Sequence, residues 1–167
     1  MKRIPLTQGK VAVVDDDEFE ELAKYKWYAL SRVHTHYAVR KQRAEARQIM
    51  VSMHRVVLDA KHWQHIDHVN GNGLDNRRAN LRICTRSQNS ANCYWHNGKR
   101  LLTRGIRFKS GRWEAYIRRQ GKILYLGRFT FKEQAAKAYD RAAIESFGEF
   151  ARLNYPQERE TTDGEDA

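Results

Sequence analysis

A chain of 167 residues, 41% of them hydrophobic, can build one compact domain or two to three very small ones, and a single large core is not required. Its 31 Lys and Arg against 20 Asp and Glu leave a net charge of +11, which points to a polyanionic partner, nucleic acid first, because basic side chains placed on phosphates release condensed counterions. There is no apolar run of membrane-spanning length and no cationic leader followed by an apolar core, so a membrane partner is not expected, and the chain is expected to stay in the cytoplasm where it is made.

The first 60 residues open on a Pro-Leu-Thr-Gln-Gly turn region and continue into Val11 to Val14, whose β-branched apolar run suits a buried strand. Asp17 to Tyr25 reads as a short helix with Phe19, Leu22 and Ala23 inward. Trp27 to Leu30, Tyr37 to Arg40 and Ile49 to Ser52 read as short strands, and Met53 to Leu58 as a helix. Residues 1–53 are therefore expected to form a small β-rich region.

Residues 62 to 96 crowd polar and metal-capable side chains among scattered apolar ones, and cannot all be core. A strand at His65 to His68, a turn-rich loop to Ala79, a second strand at Leu81 to Thr85 and a helix from about Ser87 make a ββα unit, placed at 54–96. Opening a phosphodiester requires an activated water and a cation to neutralise the phosphate and the departing oxygen. Asp67 can ligate a hard divalent cation, and the adjacent His68, on the opposite side of the strand, can act as general base. Asn89, in the first turn of the closing helix, can add an amide oxygen. His54 reads as a packing or hydrogen-bonding residue, and His34, His36, His62 and His65 as surface or structural ones. Asp75 and Asn76 read as loop-closing residues. The only cysteines, Cys84 and Cys93, stand nine apart without paired-ligand spacing, which argues against a zinc finger and for two small buried hydrophobes in a reducing compartment.

Residues 97–104 read as a basic linker with Lys99, Arg100 and Arg104. From Gly105 the alternation is that of three antiparallel strands joined at Lys109-Ser110-Gly111-Arg112 and Arg119-Gln120-Gly121-Lys122. One face would carry Ile106, Phe108, Trp113, Ala115, Ile117, Leu124 and Leu126. The other would carry Arg107, Lys109, Glu114, Tyr116, Arg118, Ile123 and Tyr125. A helix starting with a Thr130/Glu133 capping box and stopping at Gly148 would cover the apolar face through Ala135, Ala138, Tyr139, Ala142 and Ala143. This unit spans 105–155, and the acidic tail 156–167 is too polar to pack. The fold class is thus α+β: a β-rich N-terminal region, a ββα unit and a three-stranded sheet on one helix.

The run His65-Ile66-Asp67-His68-Val69-Asn70-Gly71-Asn72, then Asp75-Asn76-Arg77-Arg78-Ala79-Asn80-Leu81-Arg82 and Thr85-Arg86-Ser87-Gln88-Asn89, resembles the HNH homing endonuclease family of phages and mobile introns. That resemblance implies a divalent metal, Mg2+ or Mn2+, on Asp67 and Asn89, His68 as the activating base, and Asn80 as a loop support that orients His68. Asn80 lies twelve and Asn89 twenty-one residues after His68, as the family motif requires. The last position is Asn where many members carry His, a variant that resembles phage intron enzymes that nick one strand.

The segments Arg104 to Arg107, Trp113 to Arg118, Tyr125 to Phe129 and Ala135 to Ala143 are similar to the AP2 DNA-binding domain. The resemblance implies that the exposed sheet face lies in the major groove of double-stranded DNA, with Arg104, Arg107, Lys109, Arg112, Tyr116, Arg118 and Tyr125 as the contacting set. Tyr116 stands where plant members often carry Glu, and Ile123 where they often carry Arg, so a plant target sequence does not transfer. The expected activity is site-specific DNA cleavage. The alternative is a non-catalytic DNA-binding regulator of AP2 type, and a zinc-stabilised structural or RNA-binding module is disfavoured. No obligate protein partner is evident.

Overall fold

The computed structural model describes residues 1–32, 34–44, 47–92, 95–96, 99–100 and 103–156. The expected positions of Cys93 and of the tail beyond Pro156 lie outside them. The chain divides into two compact units, residues 1–89 and 90–167.

In the first unit, strands β1 (Lys2–Pro5) and β2 (Val11–Val14) form an antiparallel hairpin. The turn expected to open the chain is confined to the segment after Pro5, and the proline ends an edge strand where no ladder donor is needed. Helix α1 (Asp16–Ala23) carries Asp16, Asp17 and Glu18 in its first turn, where their charge suits the positive end of the helix dipole. Its inward Leu22 accepts a hydrogen bond at its carbonyl from Trp27 Nε1 at 2.8 Å. Strands β3 (Tyr28–Ser31), β4 (His36–Ala44) and β5 (Arg47–Ser52) make a meander that runs directly into helix α2 (Met53–Val57). Strands β6 (His65–His68) and β7 (Leu81–Cys84) pair antiparallel, and helix α3 (Arg86–Ala91) follows. One apolar cluster, built around Ile4, Val14, Leu22, Trp27, Met53 and Leu81, draws on β1, β2, α1, β4, α2, β6 and β7, so the β-rich region and the ββα segment share a core.

In the second unit, the segment read as a linker supplies one strand of a short ladder, Lys99–Arg100 (β9), which pairs with Trp95–His96 (β8) just before it. Strands β10 (Ile106–Lys109), β11 (Arg112–Arg119) and β12 (Lys122–Phe129) form the expected antiparallel sheet, which packs on helix α4 (Lys132–Phe147). Both hairpins turn through residues with positive φ, Ser110-Gly111 and Gln120-Gly121, the conformation that matches the strands' twist. The α4 start differs from the expected Thr130/Glu133 box by one residue. Phe131 occupies the cap position and its N–H donates to Gln134 Oε1 at 3.4 Å, because the backbone is still extended at Phe131 and turns helical only from Lys132.

Small residues let the helix lie close to the sheet: Ala135, Ala136 and Ala143 are buried over Ala115 and Ile117. Phe108 and Leu124, expected on the covered face, are 60% and 43% exposed. They lie on the two outer strands of the sheet, and a bulge at Ala115/Tyr116 shifts the β11/β12 register between the two ends. Fully buried Asp140, on α4, is an addition to the expected core. Its carboxylate accepts from the Asn154 and Tyr155 backbone N–H groups, each at 2.8 Å, while Asn154 Oδ1 accepts from the Arg104 N–H at 2.7 Å. That relay ties both ends of the unit to the helix.

Gly105 has φ +63, and a Cβ there would lie 1.9 Å from the Tyr139 ring. Gly105→Ala is therefore expected to destabilise the second unit by about 1–3 kcal/mol, through a forced left-handed backbone and an overpacked ring. Thermal unfolding of the variant measures this, and an unchanged midpoint would contradict the close approach.

Candidate active site and nucleic-acid face

The loop between β6 and β7 is built from its own side chains. Asn80 Oδ1 accepts from the Asn70 N–H at 3.0 Å and Asn80 Nδ2 donates to the Asp75 carbonyl at 2.8 Å, closing the loop across its neck. Asp75 accepts from Arg77 Nε and Nη2 at 2.8 and 2.7 Å and from Asn70 Nδ2 at 2.8 Å; the Arg77 hydrogen bonds hold its carboxyl below the ordinary carboxylate range. Strand β2 pins the loop from outside: the Val13 N–H donates to the Leu74 carbonyl and the Asn76 N–H to the Val13 carbonyl. The loop is therefore a rigid part of the first unit, although most of its residues are polar.

The pleat of β6 sends its two adjacent candidate residues into different surroundings. Asp67, 5% exposed, pairs across to Arg82 of β7, whose Nε and Nη2 donate to Asp67 Oδ2 at 2.9 and 2.8 Å. His68, 6% exposed, lies in an aromatic pocket. Its ring centroid is 5.2 Å from that of His54, nearly perpendicular to it, and 5.7 Å from that of Tyr37. Burial pushes the His68 imidazole below its ordinary pKa, against a hydrogen bond with Asn76 and the negative charges of Asp67 and Asp75. The ring is thereby kept neutral, the form a general base needs. Gly73 closes this pocket, since a Cβ there would lie 2.5 Å from the His36 carbonyl oxygen and 2.6 Å from the Tyr37 ring.

Asn89 stands in the first turn of α3. That turn is set by a reciprocal cap in which the Thr85 N–H donates to Gln88 Oε1 at 2.8 Å and the Gln88 N–H to Thr85 Oγ1 at 3.2 Å. The helix begins one residue before the expected Ser87 for this reason. Asn89 and Asp67 are both neighbours of buried Cys84. Burial first, and then the Asp67 charge, pushes its thiol upward, while the Asn89 backbone N–H hydrogen-bonds it. Among the described residues no three His, Cys, Asp or Glu side chains converge. The Asp67 carboxylate and the Asn89 amide each offer the oxygen donors that a hard divalent cation takes.

The pocket residues His54 and Tyr37 carry no expected role in the site from sequence. The available signals are weak: a histidine next to Met53 at a helix start, and an aromatic residue in an alternating strand. Burial pushes His54 down to about 3, with His68 and Arg55 adding to the shift. A histidine with an ordinary value of 6.5 that resists protonation when folded contributes stability that is present above that value and lost as pH falls through 6.5 toward 3. In denaturant titrations between pH 6 and 4, His54→Phe is expected to lose about one proton's worth of the stability-versus-pH slope. Equal slopes in the two proteins would show that His54 titrates as it does in the unfolded chain.

On the second unit, Arg107, Lys109, Arg112, Arg118 and Tyr125 are exposed on the sheet, and Tyr116 is half-buried. Glu114 organises part of this face. Its carboxylate accepts from Arg107 Nε at 2.9 Å and from Tyr116 Oη at 2.6 Å, and Arg107 Nη2 donates to Tyr116 Oη at 2.7 Å. The bonds from Tyr116 and Arg107 lower the Glu114 carboxyl, and the bond to Glu114, with burial, raises the Tyr116 hydroxyl against the opposing bond from Arg107. Arg104, Tyr116, Arg118 and Ile123 line one hollow, with Gly105 and Tyr139 beneath. Tyr116 and Tyr125 face each other with ring centroids 5.2 Å apart. Trp113, on the face expected to be covered, is half-buried against Phe108. No helix among the described residues is long and apolar enough to cross a membrane.

A family model described as HNH endonuclease matches residues 53–91. Over 151 residues the chain is 30% identical to an uncharacterized HNH endonuclease of Acanthamoeba polyphaga mimivirus, covering 88% of this chain and 76% of that one. It is also 44% identical over 49 residues to an ethylene-responsive transcription factor-like protein of Arabidopsis thaliana (29% of this chain, 22% of that protein). A third similarity, 48% over 54 residues, is to APETALA2-like protein 2 of Oryza sativa subsp. indica (31% of this chain, 12% of that protein).

Proposed function

The chain belongs to the HNH endonuclease family, and from that premise we propose that it is a site-specific, metal-dependent endonuclease of double-stranded DNA, of the homing type. The observation that carries this reading is the division of labour on β6, where a buried carboxylate and a buried imidazole kept neutral project from adjacent residues into separate environments. In this reading, Asp67 and Asn89 hold a divalent cation, Mg2+ or Mn2+, which when bound neutralises charge on the phosphate and the departing oxygen. His68 takes the proton of the attacking water. Tyr37 and His54 hold its ring in place, and Asn80 keeps the loop beside it closed. Arg82 orients the Asp67 carboxylate from the neighbouring strand.

The partition that follows assigns cutting to residues 54–96 and reading to 105–155, with Arg104, Arg107, Lys109, Arg112, Tyr116, Arg118 and Tyr125 facing the duplex. Similarity to plant transcription factors supports a DNA-binding role for the reader, and Glu114 supports a pre-ordered face, since it holds Arg107 and Tyr116 in fixed positions. Arg118→Ala is expected to weaken specific binding by about 1–3 kcal/mol, measured by competition against scrambled duplexes. An unchanged preference among sites would remove Arg118 from the reading face.

Incubation with supercoiled plasmid in Mg2+, with and without chelator, tests the whole reading. Relaxed circles indicate nicking and linear products a double-strand cut. Tight specific binding without any cleavage would instead favour a DNA-binding regulator.

A further inference from the structure

The sheet of the second unit carries two apolar side chains on its basic face. Ile123 is 60% exposed and Tyr125 56%, and the register sets them opposite Arg118 and Tyr116 of β11, so all four project from the same side. Neither belongs to the apolar cluster that α4 builds with the sheet. A lone isoleucine at a surface needs no explanation. Ile123 is set apart by its surroundings, because it lines one hollow with Tyr116, Arg104 and Arg118.

The wall of that hollow is chemically selective. The Tyr116 hydroxyl is committed to Glu114 at 2.6 Å and accepts from Arg107 Nη2 at 2.7 Å, so its ring offers carbon to a ligand. The Tyr125 ring stands 5.2 Å away, centroid to centroid. In the major groove every base pair presents donors and acceptors, and the single apolar mark is the 5-methyl group of thymine. An exposed branched aliphatic beside two aromatic rings complements that methyl. Against a guanine or cytosine edge the same side chain displaces water and returns no hydrogen bond. Arg118, directly across from Ile123, supplies a bidentate partner for a neighbouring guanine.

We propose that Ile123, backed by Tyr116 and Tyr125, reads the 5-methyl group of a thymine in the duplex this chain recognises. The proposal rests on the DNA-reading assignment of the sheet and names the base selected at one position of its site. An arginine at residue 123, as plant members of the AP2 type often carry, would favour guanine there instead. The target of this chain therefore differs from theirs at that step.

The test uses the full chain without divalent cation and duplexes selected from a randomised library by binding to it. Each thymine of the selected site is replaced in turn by uracil, which lacks only the methyl. One replacement is expected to weaken binding about fourfold, the factor for burying one methyl group. Ile123→Ser is expected to bind the thymine and uracil duplexes equally, and Ile123→Arg, carried through the same selection, to exchange that thymine for guanine. Because Ile123 is exposed, both variants should keep the parent's thermal midpoint; were they to unfold, the uracil series on the parent chain still decides. Arg118→Ala should weaken both duplexes and leave their ratio unchanged, since it removes a different contact. A selected site without thymine, equal affinity of the parent for every uracil duplex, or a fourfold difference that survives Ile123→Ser would overturn the role of Ile123, while the Arg118 result still upholds the reading face. Binding by the parent without any sequence preference would remove the reading face and this proposal together. Neither outcome touches the nuclease assignment, because no cleavage is measured.

Discussion

His68→Ala is expected to lower the rate of duplex cleavage in Mg2+ by about 10²- to 10⁴-fold, the usual contribution of a positioned general base, with DNA affinity within about twofold of the parent. The physical reason is that the buried imidazole remains neutral and has a fixed direction, set by the Tyr37 and His54 rings and by Asn76. Alanine removes the acceptor and leaves a void among those rings, so a stability loss must be separated from a chemical one. His68→Gln fills more of the space without restoring a base of the same strength. If both variants fold, as judged by their thermal midpoints, and both fail to cut, the missing property is proton transfer. Cleavage by folded His68→Ala at the parent rate would end the assignment of His68 as base.

Asp67→Ala combines a catalytic loss with a structural one. In the parent, Arg82, its side chain 15% exposed, donates two hydrogen bonds to the Asp67 carboxylate, itself 6% exposed. Deleting the acid leaves a largely buried guanidinium without that counter-charge, which is expected to cost about 3 kcal/mol in unfolding free energy. The same variant is expected to lose cleavage and to bind Mn2+ measurably more weakly in the absence of DNA. Asp67→Ala/Arg82→Met separates the two effects, since replacing both charges by apolar groups should recover most of the stability and none of the cleavage. If the double variant regains activity, Asp67 serves the fold alone and another residue holds the cation. If Asp67→Ala is as stable as the parent, the ion pair contributes little to the folded state.

Much of the site is legible in the sequence because its key relationships are local. Adjacent residues of a strand point to opposite sides, so Asp67 and His68 are bound to divide between two environments once His65 to His68 is recognised as extended. Thr85 and Gln88 form a capping box readable from their spacing, although the helix starts one residue before its expected position. In the second unit, alternation and two positive-φ turns are enough for the three strands, and runs of alanine are enough for a helix lying close to them. The start of that helix differs by one residue because Thr130 and Glu133 satisfy the same pattern as the observed Phe131 and Gln134 positions. Only the extended backbone at Phe131 distinguishes them.

By itself, then, the sequence determined the fold class, the strand that carries Asp67 and His68, and the basic face of the C-terminal sheet. Each follows from periodicity and from neighbours a few residues apart. Tertiary structure alone decided that Tyr37, thirty-one residues before His68, packs against its ring, and that Val13, sixty-two residues before Asp75, bridges to the polar loop. It also decided that Arg82 pairs with Asp67 and that Asp140 is buried to hold Asn154. Such contacts form where distant segments are brought together by a shared apolar core. Their energy depends on that packing and leaves no pattern in the local order of residues.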